Sequence, residues 1–444
     1  MHKLILFLMI LLIFNQSIQA QDQDSYFQRN SGNPIFSGHF ADPSIVQMDG
    51  KFLIYATTVS DYFEPVVWVS EDMQNWHVEP LNIFGEHRFW APSVIKGKNG
   101  KVYLYYSSGF DFKCHLYIGE SYNGPWQKFG LVEKGFDLQI FEDPVTGRVY
   151  GASSDPQSRP RLVEFENDPE KEGYLTRVIK EASLEGPFFD YTEGSFILYK
   201  DGYYYLMYSG GKCGAETYKI NYARSNNIWG PYEDAPNNPI LQAAPEKKIF
   251  GPGHHSVITI EDDYFIAYHR QDYYFYPTCS ERQICIDRME FDGKGWIKKV
   301  EPTNAGVDFS NYFTPVSKMK NVAIGKNVAA GGITKSFNPE FAVDNNYATF
   351  WQGSGYLSVD LGQMYQVEKI IPRFLKYDYF NLYKILYSRD NQQWLEYADF
   401  TNVAAKAYQQ VPDKKVEARY IKIQFLRGEG YPPALAELEV LAEQ

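Results

Sequence analysis

The sequence predicts an all-β chain: a five-bladed β-propeller followed by a second, smaller β domain. Three observations carry this reading. A unit of two short apolar strands joined by a turn recurs five times between Ala41 and Arg270. Four of the five units run on into a third strand that closes on a Trp. From about Lys318 the pattern changes to short alternating strands.

Residues 1–20 stand apart. Lys3 precedes an apolar run from Leu4 to Phe14 and a short polar stretch ending at Ala20, the pattern of a secretory signal peptide. The run is too short to span a bilayer. The mature chain, from about Gln21, is therefore expected to be secreted or periplasmic, with no membrane insertion. At 444 residues the chain has room for two or three domains. Its formal charge of −12 becomes more negative once Lys3 is removed, the wrong sign for binding phosphates, so nucleic acid is not an expected partner. Aromatic residues make up 17% of the chain, which suits strand packing and also stacking against sugar rings. The four cysteines, Cys114, Cys213, Cys279 and Cys285, allow three pairings, and none has zinc-ligand spacing.

The five units begin ADPSIV at Ala41, WAPSVI at Trp90, FDLQIF at Phe136, TEGSFI at Thr192 and GHHSVI at Gly253. Each reads as a β-hairpin by its period-2 alternation and turn residues. The closing Trp residues are Trp76, Trp126, Trp229 and Trp296, and the third unit lacks one. Blade-sized units at intervals of 46 to 61 residues indicate a propeller, in which radial repetition removes most open sheet edges.

In a propeller the first strand of each blade lines the central channel, so equivalent residues at its start surround one axis. Aligned on the second residue of each unit, these are Asp42, Ala91, Asp137, Glu193 and His254. Taken singly, each carboxyl is as well explained by a surface turn or strand end; together at one repeat position they are not. Two carboxyl groups across a pocket are what glycoside hydrolysis needs, one protonated to donate to the leaving oxygen and one ionised to activate water. A third carboxyl nearby disfavours ionisation of the acid by like-charge repulsion.

Residues 33–299 resemble glycoside hydrolase family 43 through NPIFSGHFADPSI around Asp42, RFWAPSVI around Trp90, FDLQIF around Asp137, TEGSFILYKDGYYYLMYS around Glu193 and GPGHHSV around His254. The resemblance implies an inverting enzyme with Asp42 as general base, Glu193 as general acid and Asp137 tuning and orienting the acid. It implies Trp90 as an aromatic wall of the sugar subsite, Arg282 as a contact to sugar hydroxyls and His254 beneath the pocket near a bound cation. No cofactor is required for the reaction. Leu138 departs from the proline that many members carry after this Asp. The NDPNG and RDP signatures of the related fructosidases are absent.

After residue 300, EPTNAGVDFSNYFTP reads as a linker, residues 301–317. Residues 318–444 resemble a discoidin-type, family 32-like carbohydrate-binding domain, through NVAIGKNV, FAVDNNYATFWQ, LSVDLGQMYQVEKI, YSRDNQQW and AELEVL. The resemblance implies a β-sandwich of jelly-roll type with a structural calcium at Asp344, nearby carbonyls and Glu437. The propeller domain is assigned to residues 21–300. The expected function is an exo-acting hydrolase, a monomer that removes terminal sugars from oligo- or polysaccharides and is foremost an α-L-arabinofuranosidase. A β-xylosidase or galactan-acting exo-enzyme is the alternative, and a non-catalytic glycan-binding protein a minor one, because a lectin needs no acid and base together.

Overall fold

The computed structural model describes residues 32–443, apart from 59–64, 84–87, 109–112, 133–134, 156, 172–173, 187, 189–191, 315–318, 333, 335–336, 377–380, 403–410 and 427–431. The signal peptide expected at residues 1–20 lies outside the described residues. Five antiparallel sheets follow one another in chain order. The first blade is β1 (Ala41–Met48), β2 (Lys51–Thr57), β3 (Val66–Ser70) and β4 (His77–Pro80). The second is β5 (Trp90–Lys96), β6 (Val102–Ser107), β7 (Cys114–Gly119) and β8 (Trp126–Val132). The third is β9 (Phe136–Glu142), β10 (Val149–Ser154), β11 (Pro160–Phe165) and β12 (Val178–Ser183). The fourth is β13 (Thr192–Lys200), β14 (Tyr203–Gly210), β15 (Lys219–Ser225) and β16 (Glu233–Asp234). The fifth has three strands among the described residues, β17 (Phe250–Ile260), β18 (Asp263–Gln271) and β19 (Arg282–Met289). Trp76 and Trp126 stand at the entry to the fourth strand of their blades, not at the end of the third.

The outer edge of the fifth blade is covered by the segment that precedes the first blade. Ile35 N–H donates to the Ile284 carbonyl at 3.0 Å, and the Asn33 side chain meets both backbone groups of Ile286, at 2.9 and 3.1 Å. The two ends of the propeller are thus tied together. Alternation along each strand sends side chains to both faces of a blade, and both faces are buried. In β2, Leu53 and Tyr55 pack toward the second blade while Phe52 and Ile54 pack toward the fifth. Five apolar layers therefore separate five blades.

One backbone feature sets the axis. Near the start of every innermost strand the ladder slips by one residue, as a β-bulge does. The residue at the slip is left-handed in all five blades: Asp42 (φ 50°), Ala91 (42°), Asp137 (54°), Gly194 (57°) and His254 (41°). The structure therefore moves the fourth blade by one residue from the repeat as aligned by sequence. Gly194, not Glu193, is level with Asp42, and Glu193 shares its register with Ala41, Trp90, Phe136 and Gly253. The reason is steric, because a Cβ on Gly194 would come within 2.9 Å of the His254 ring.

Each blade bonds to the next at this level. Thr57 Oγ1 accepts from Ala91 N–H at 2.8 Å, Ser107 Oγ from Asp137 N–H at 3.1 Å, and Ser209 Oγ from His254 N–H at 2.7 Å. Ser154 Oγ instead donates to the Thr192 carbonyl at 2.9 Å. His269 closes the ring, its Nδ1 3.3 Å from the Asp42 backbone nitrogen. A buried N–H left without a partner costs about 1–3 kcal/mol.

The second domain comprises β20 (Met319–Asn321), β21 (Asn327–Ala330), β22 (Trp351–Gln352), β23 (Tyr356–Phe374), β24 (Tyr383–Ser388), β25 (Leu395–Asp399), β26 (Val416–Phe425) and β27 (Ala434–Glu443). Its long strand β23 pairs with β26 over its first half and with β27 over its second, joining the layers of a sandwich. The segment read from sequence as a linker packs in part against the propeller: Phe309 meets Phe265 at 5.0 Å and Phe313 meets Phe52 at 5.2 Å between ring centroids. Through Phe309 the apolar layer between the fifth and first blades continues into the sandwich core around Val322, Trp351 and Val440.

Ser209→Ala removes one joint of the axial ring without touching a carboxyl group. Urea unfolding is expected to show a loss of about 1–3 kcal/mol from the stranded His254 N–H. A change within experimental error would mean that the axial bonds do not hold the blades.

Candidate active site

Asp42 is buried at the first bulge and is held from every side. Arg282, at the start of β19, approaches it with Nη1 at 2.9 Å from Oδ1 and Nη2 at 3.5 Å from Oδ2. Thr57 Oγ1 donates to Oδ2 at 2.5 Å while accepting from the next blade. His254 Nδ1 lies 3.2 Å and His269 Nδ1 3.0 Å from Oδ1. With its proton on Nδ1, His269 donates to the carboxylate; with the proton on Nε2, it accepts from the Asp42 N–H. Burial by itself would raise the Asp42 pKa, but Arg282, then His254 and His269, outweigh it and hold this carboxyl well below the usual range. Burial, joined by Arg282, keeps His269 neutral, its pKa lowered to about 4.

Asp137 occupies the same backbone position two blades on, with the opposite outcome. Its carboxyl is pushed well above the usual range, by burial first and then by repulsion from Glu193 and Asp42. Arg282 and the Gly194 N–H oppose the rise without cancelling it. Leu138, where a proline was expected, is buried in the layer between the second and third blades and leaves Asp137 in place at the axis.

Glu193 enters from the level above the bulge and accepts from Tyr218 O–H at 2.6 Å. Tyr218 stacks on His269, the rings 5.6 Å apart and nearly parallel. That arrangement explains the GPGHH segment, because a Cβ on Gly253 would lie 2.1 Å from the Tyr218 ring. Glu193 is thereby linked through Tyr218 and His269 to Asp42. The structure brings Asp42, Asp137, Glu193, His254 and Arg282 together. Trp90 is half-buried in the same register position as Glu193, two blades away, with Arg88 over its ring at 5.4 Å. Phe110, considered for the pocket rim, lies outside the described residues.

Thr57, Tyr218 and His269 were not singled out from sequence. Thr57 and His269 had a signal: the second strands end YATT, YYSS, GASS, MYSG and AYHR, with a hydroxyl residue at the joint position in four and His269 in the fifth. Tyr218 had none, since it precedes a third strand outside the repeated hairpin.

Beneath the carboxyl groups the axis holds a cavity of about 20 Å³ lined in part by Ser195 and His255. That is room for about one water-sized occupant. His254 is turned to Asp42 and Asp137, at 3.2 and 3.9 Å. His255, by contrast, has no hydrogen-bond partner at either ring nitrogen among the described residues, and burial lowers its pKa to about 3. A cation at the axis would thus meet neutral donors from His255 and Ser195. No cluster of three His, Cys, Asp or Glu side chains suited to a metal occurs among the described residues. In the sandwich, the loop carrying Asp344 sits on the buried Glu437, whose Oε2 accepts from Asn345 N–H at 3.2 Å. The Asp344 carboxylate accepts from Asn346 N–H and from Thr349 Oγ1, at 3.0 and 2.7 Å. Two carboxylates thus flank one loop, an oxygen-rich set that fits calcium. Of the three pairings open to the cysteines, the structure has Cys213–Cys279, which joins loops of the fourth and fifth blades, with Cys114 and Cys285 as buried thiols.

Comparison with known proteins places these features in context. Residues 31–297 match the family described as Glycosyl hydrolases family 43, and residues 327–438 match the F5/8 type C domain. The chain is 30% identical over 308 residues to "Beta-D-galactofuranosidase xynD" of Aspergillus niger, covering 63% of this chain and 87% of that one. It is 29% identical over 257 residues to "Xylosidase/arabinosidase 43B" of Humicola insolens, covering 52% of this chain but 47% of that one. A solved structure titled "Glycoside hydrolase" shares the fold over 92% of this chain and 99% of its own, with a TM-score of 0.76 at 24% identity.

The raised Asp137 pKa has a consequence for stability. In the unfolded chain this group ionises at its ordinary value, while in the folded chain it keeps its proton to higher pH. Its contribution is therefore fully present below the ordinary carboxylate range and is lost as pH rises toward the folded value. Asp137→Asn should gain on the parent by roughly 1.4 kcal/mol per pH unit across that window, while losing activity. Thermal unfolding from pH 4 to 8 checks this; a variant that lost ground relative to the parent as pH rose would contradict it.

Proposed function

The chain belongs to glycosyl hydrolases family 43, and on that premise we propose that it is an inverting, exo-acting glycosidase that removes terminal α-L-arabinofuranosyl units. The observation that supports this reading is the contrast between Asp42, held ionised by Arg282 and its neighbours, and Asp137, pushed toward its protonated form beside Glu193. Inversion needs one ionised carboxylate and one carboxylic acid at the same bond. Asp42 takes a proton from the water that attacks the anomeric carbon, on the face opposite the leaving group. The glycosidic bond breaks as Glu193 hands its proton to the departing oxygen. Asp137, held toward its neutral form by burial and by its carboxyl neighbours, stands beside Glu193 to orient it. Tyr218 fixes the Glu193 carboxyl by its hydrogen bond, and Trp90 offers an aromatic wall to the sugar ring.

A second reading is favoured by the relative from Aspergillus niger, named as a galactofuranosidase. β-D-Galactofuranose has the ring stereochemistry of α-L-arabinofuranose plus one exocyclic carbon, a difference of the size that pocket shape discriminates only modestly. Calcium at the Asp344 loop, with Glu437 beneath it, belongs to the same proposal. Chelation should lower the unfolding temperature of the parent and leave Asp344→Ala unchanged; equal shifts in both would remove calcium from that loop.

A panel of nitrophenyl glycosides tests the substrate. The α-L-arabinofuranoside should be turned over fastest, and a faster β-D-galactofuranoside or β-D-xylopyranoside would replace it as the assigned substrate. Proton NMR of the first-formed sugar should show the inverted anomer, and retention would refute the mechanism. Glu193→Gln should nearly abolish cleavage of natural oligosaccharides yet keep activity on a dinitrophenyl glycoside, whose phenolate leaves without a proton. Asp42→Asn should fail on both, because water must be activated whatever departs. Rescue of Asp42→Asn alone would exchange the two roles.

A further inference from the structure

A second cleft lies away from the carboxyl groups. It has a volume of about 480 Å³ and lies between the fifth blade and the sandwich loop that follows Asp344. That size is within the roughly 300–1,000 Å³ typical of small-ligand sites. Its floor and one wall come from β18, β19 and the loop between them, and the opposite wall is Asn345, Asn346 and their neighbours through Thr349. Neither domain makes it alone.

The lining is unusual for this chain. Lys247, Lys248 and Arg270 face the cleft and no Asp or Glu among the described residues lines it, although the formal net charge of the protein is −12. Arg270 is buried, held by Asn304 Oδ1 at 2.5 Å and the Asn33 carbonyl at 3.0 Å, so its charge is fixed in the floor. The Lys247 ammonium lies 3.3 Å from the Pro302 carbonyl and 3.4 Å from Glu301, which is exposed. Lys248 is exposed, its ammonium over the Tyr273 ring at 4.7 Å. Two aromatic rings stand open to solvent, Tyr273 at 45% and Tyr274 at 36% exposure. Tyr274 is braced from the sandwich by Phe337 and Phe350, at 5.4 and 5.3 Å.

A fixed arginine and two lysines beside exposed aromatic faces and side-chain amides match a ligand that has a carboxylate and a polyhydroxylated ring. We propose that this cleft binds an acidic saccharide bearing a uronate, with the carboxylate at Lys247 and Lys248 and a sugar face on Tyr273 or Tyr274. The saccharide half of this inference rests on the proposed glycosidase function; the anionic half rests on the cleft alone. Alternation along β18 and β19 separates the two sites, because His269 and Arg282 lie on the face toward Asp42 and Arg270 and Gln283 on the other. Acidic branches of a polysaccharide would thus anchor here while a terminal sugar occupies the axial pocket.

The experiment uses the full chain as Glu193→Gln, which stops turnover, titrated calorimetrically with a glucuronate-substituted xylo-oligosaccharide and with its unsubstituted counterpart. The substituted ligand should bind at least tenfold more tightly, and added salt should erode the difference. Lys247→Ala with Lys248→Ala should abolish it. In the parent background the same two changes should leave hydrolysis of a neutral aryl arabinofuranoside unaltered. Equal affinity for both ligands, or a preference that survives loss of both lysines, would overturn the inference. If no aryl glycoside is cleaved by the parent yet the preference persists, the catalytic reading fails and the cleft stands.

Discussion

The rest of the structure depends on the left-handed bulge at the start of each innermost strand and on the side chain that satisfies it from the neighbouring blade. A non-glycine residue held at positive φ costs on the order of 1–3 kcal/mol, and such positions persist only where their surroundings fix them. Here Asp42, Ala91, Asp137 and His254 all adopt it. Thr57, Ser107, Ser209 and His269 fix their backbones through the N–H groups that the bulge exposes. The strain and its remedy together turn these side chains toward one axis. Thr57 shows how closely scaffold and site are joined, since the hydroxyl that accepts from Ala91 also donates to Asp42.

From one backbone position the fold obtains two carboxyl groups of opposite character. Asp42 and Asp137 are both buried, so burial alone would push both toward the neutral acid. The difference lies in the neighbours. The fifth blade delivers Arg282, His254 and His269 to Asp42, whereas the fourth delivers Glu193 to Asp137. Which carboxyl is held ionised and which is pushed toward its neutral form is thus set by which blade stands next to which, and closing the ring between the fifth and first blades is what holds Asp42 ionised. The two ends of the propeller are tied at that same seam, where Asn33 and Ile35 lie along β19.

The second domain is seated on this seam. The apolar layer between the fifth and first blades runs into the sandwich core, and the fifth blade presents one face to the axis and the other to the cleft beside the Asp344 loop. Packing on both faces keeps the groups on the two sides of that blade apart.

Much of this was legible in the sequence. The repeat gave five blades because each blade must bury two faces and so must alternate in the same way. Asp42, Asp137 and His254 could be placed at the axis from their repeat position alone. The resemblance to a known family supplied the roles of Asp42 and Glu193, and the match of residues 31–297 bears out the family. Tertiary structure decided what depends on contacts distant in sequence. Glu193 was set one residue off because the reason for Gly194, the His254 ring, lies 60 residues further along the chain. Tyr218 stayed invisible because only the stacking on His269 and the gap at Gly253 give it a role. The pairing of Cys213 with Cys279 and the cleft between domains were likewise beyond reach, because local pattern records which face a residue takes and not which surface arrives opposite it.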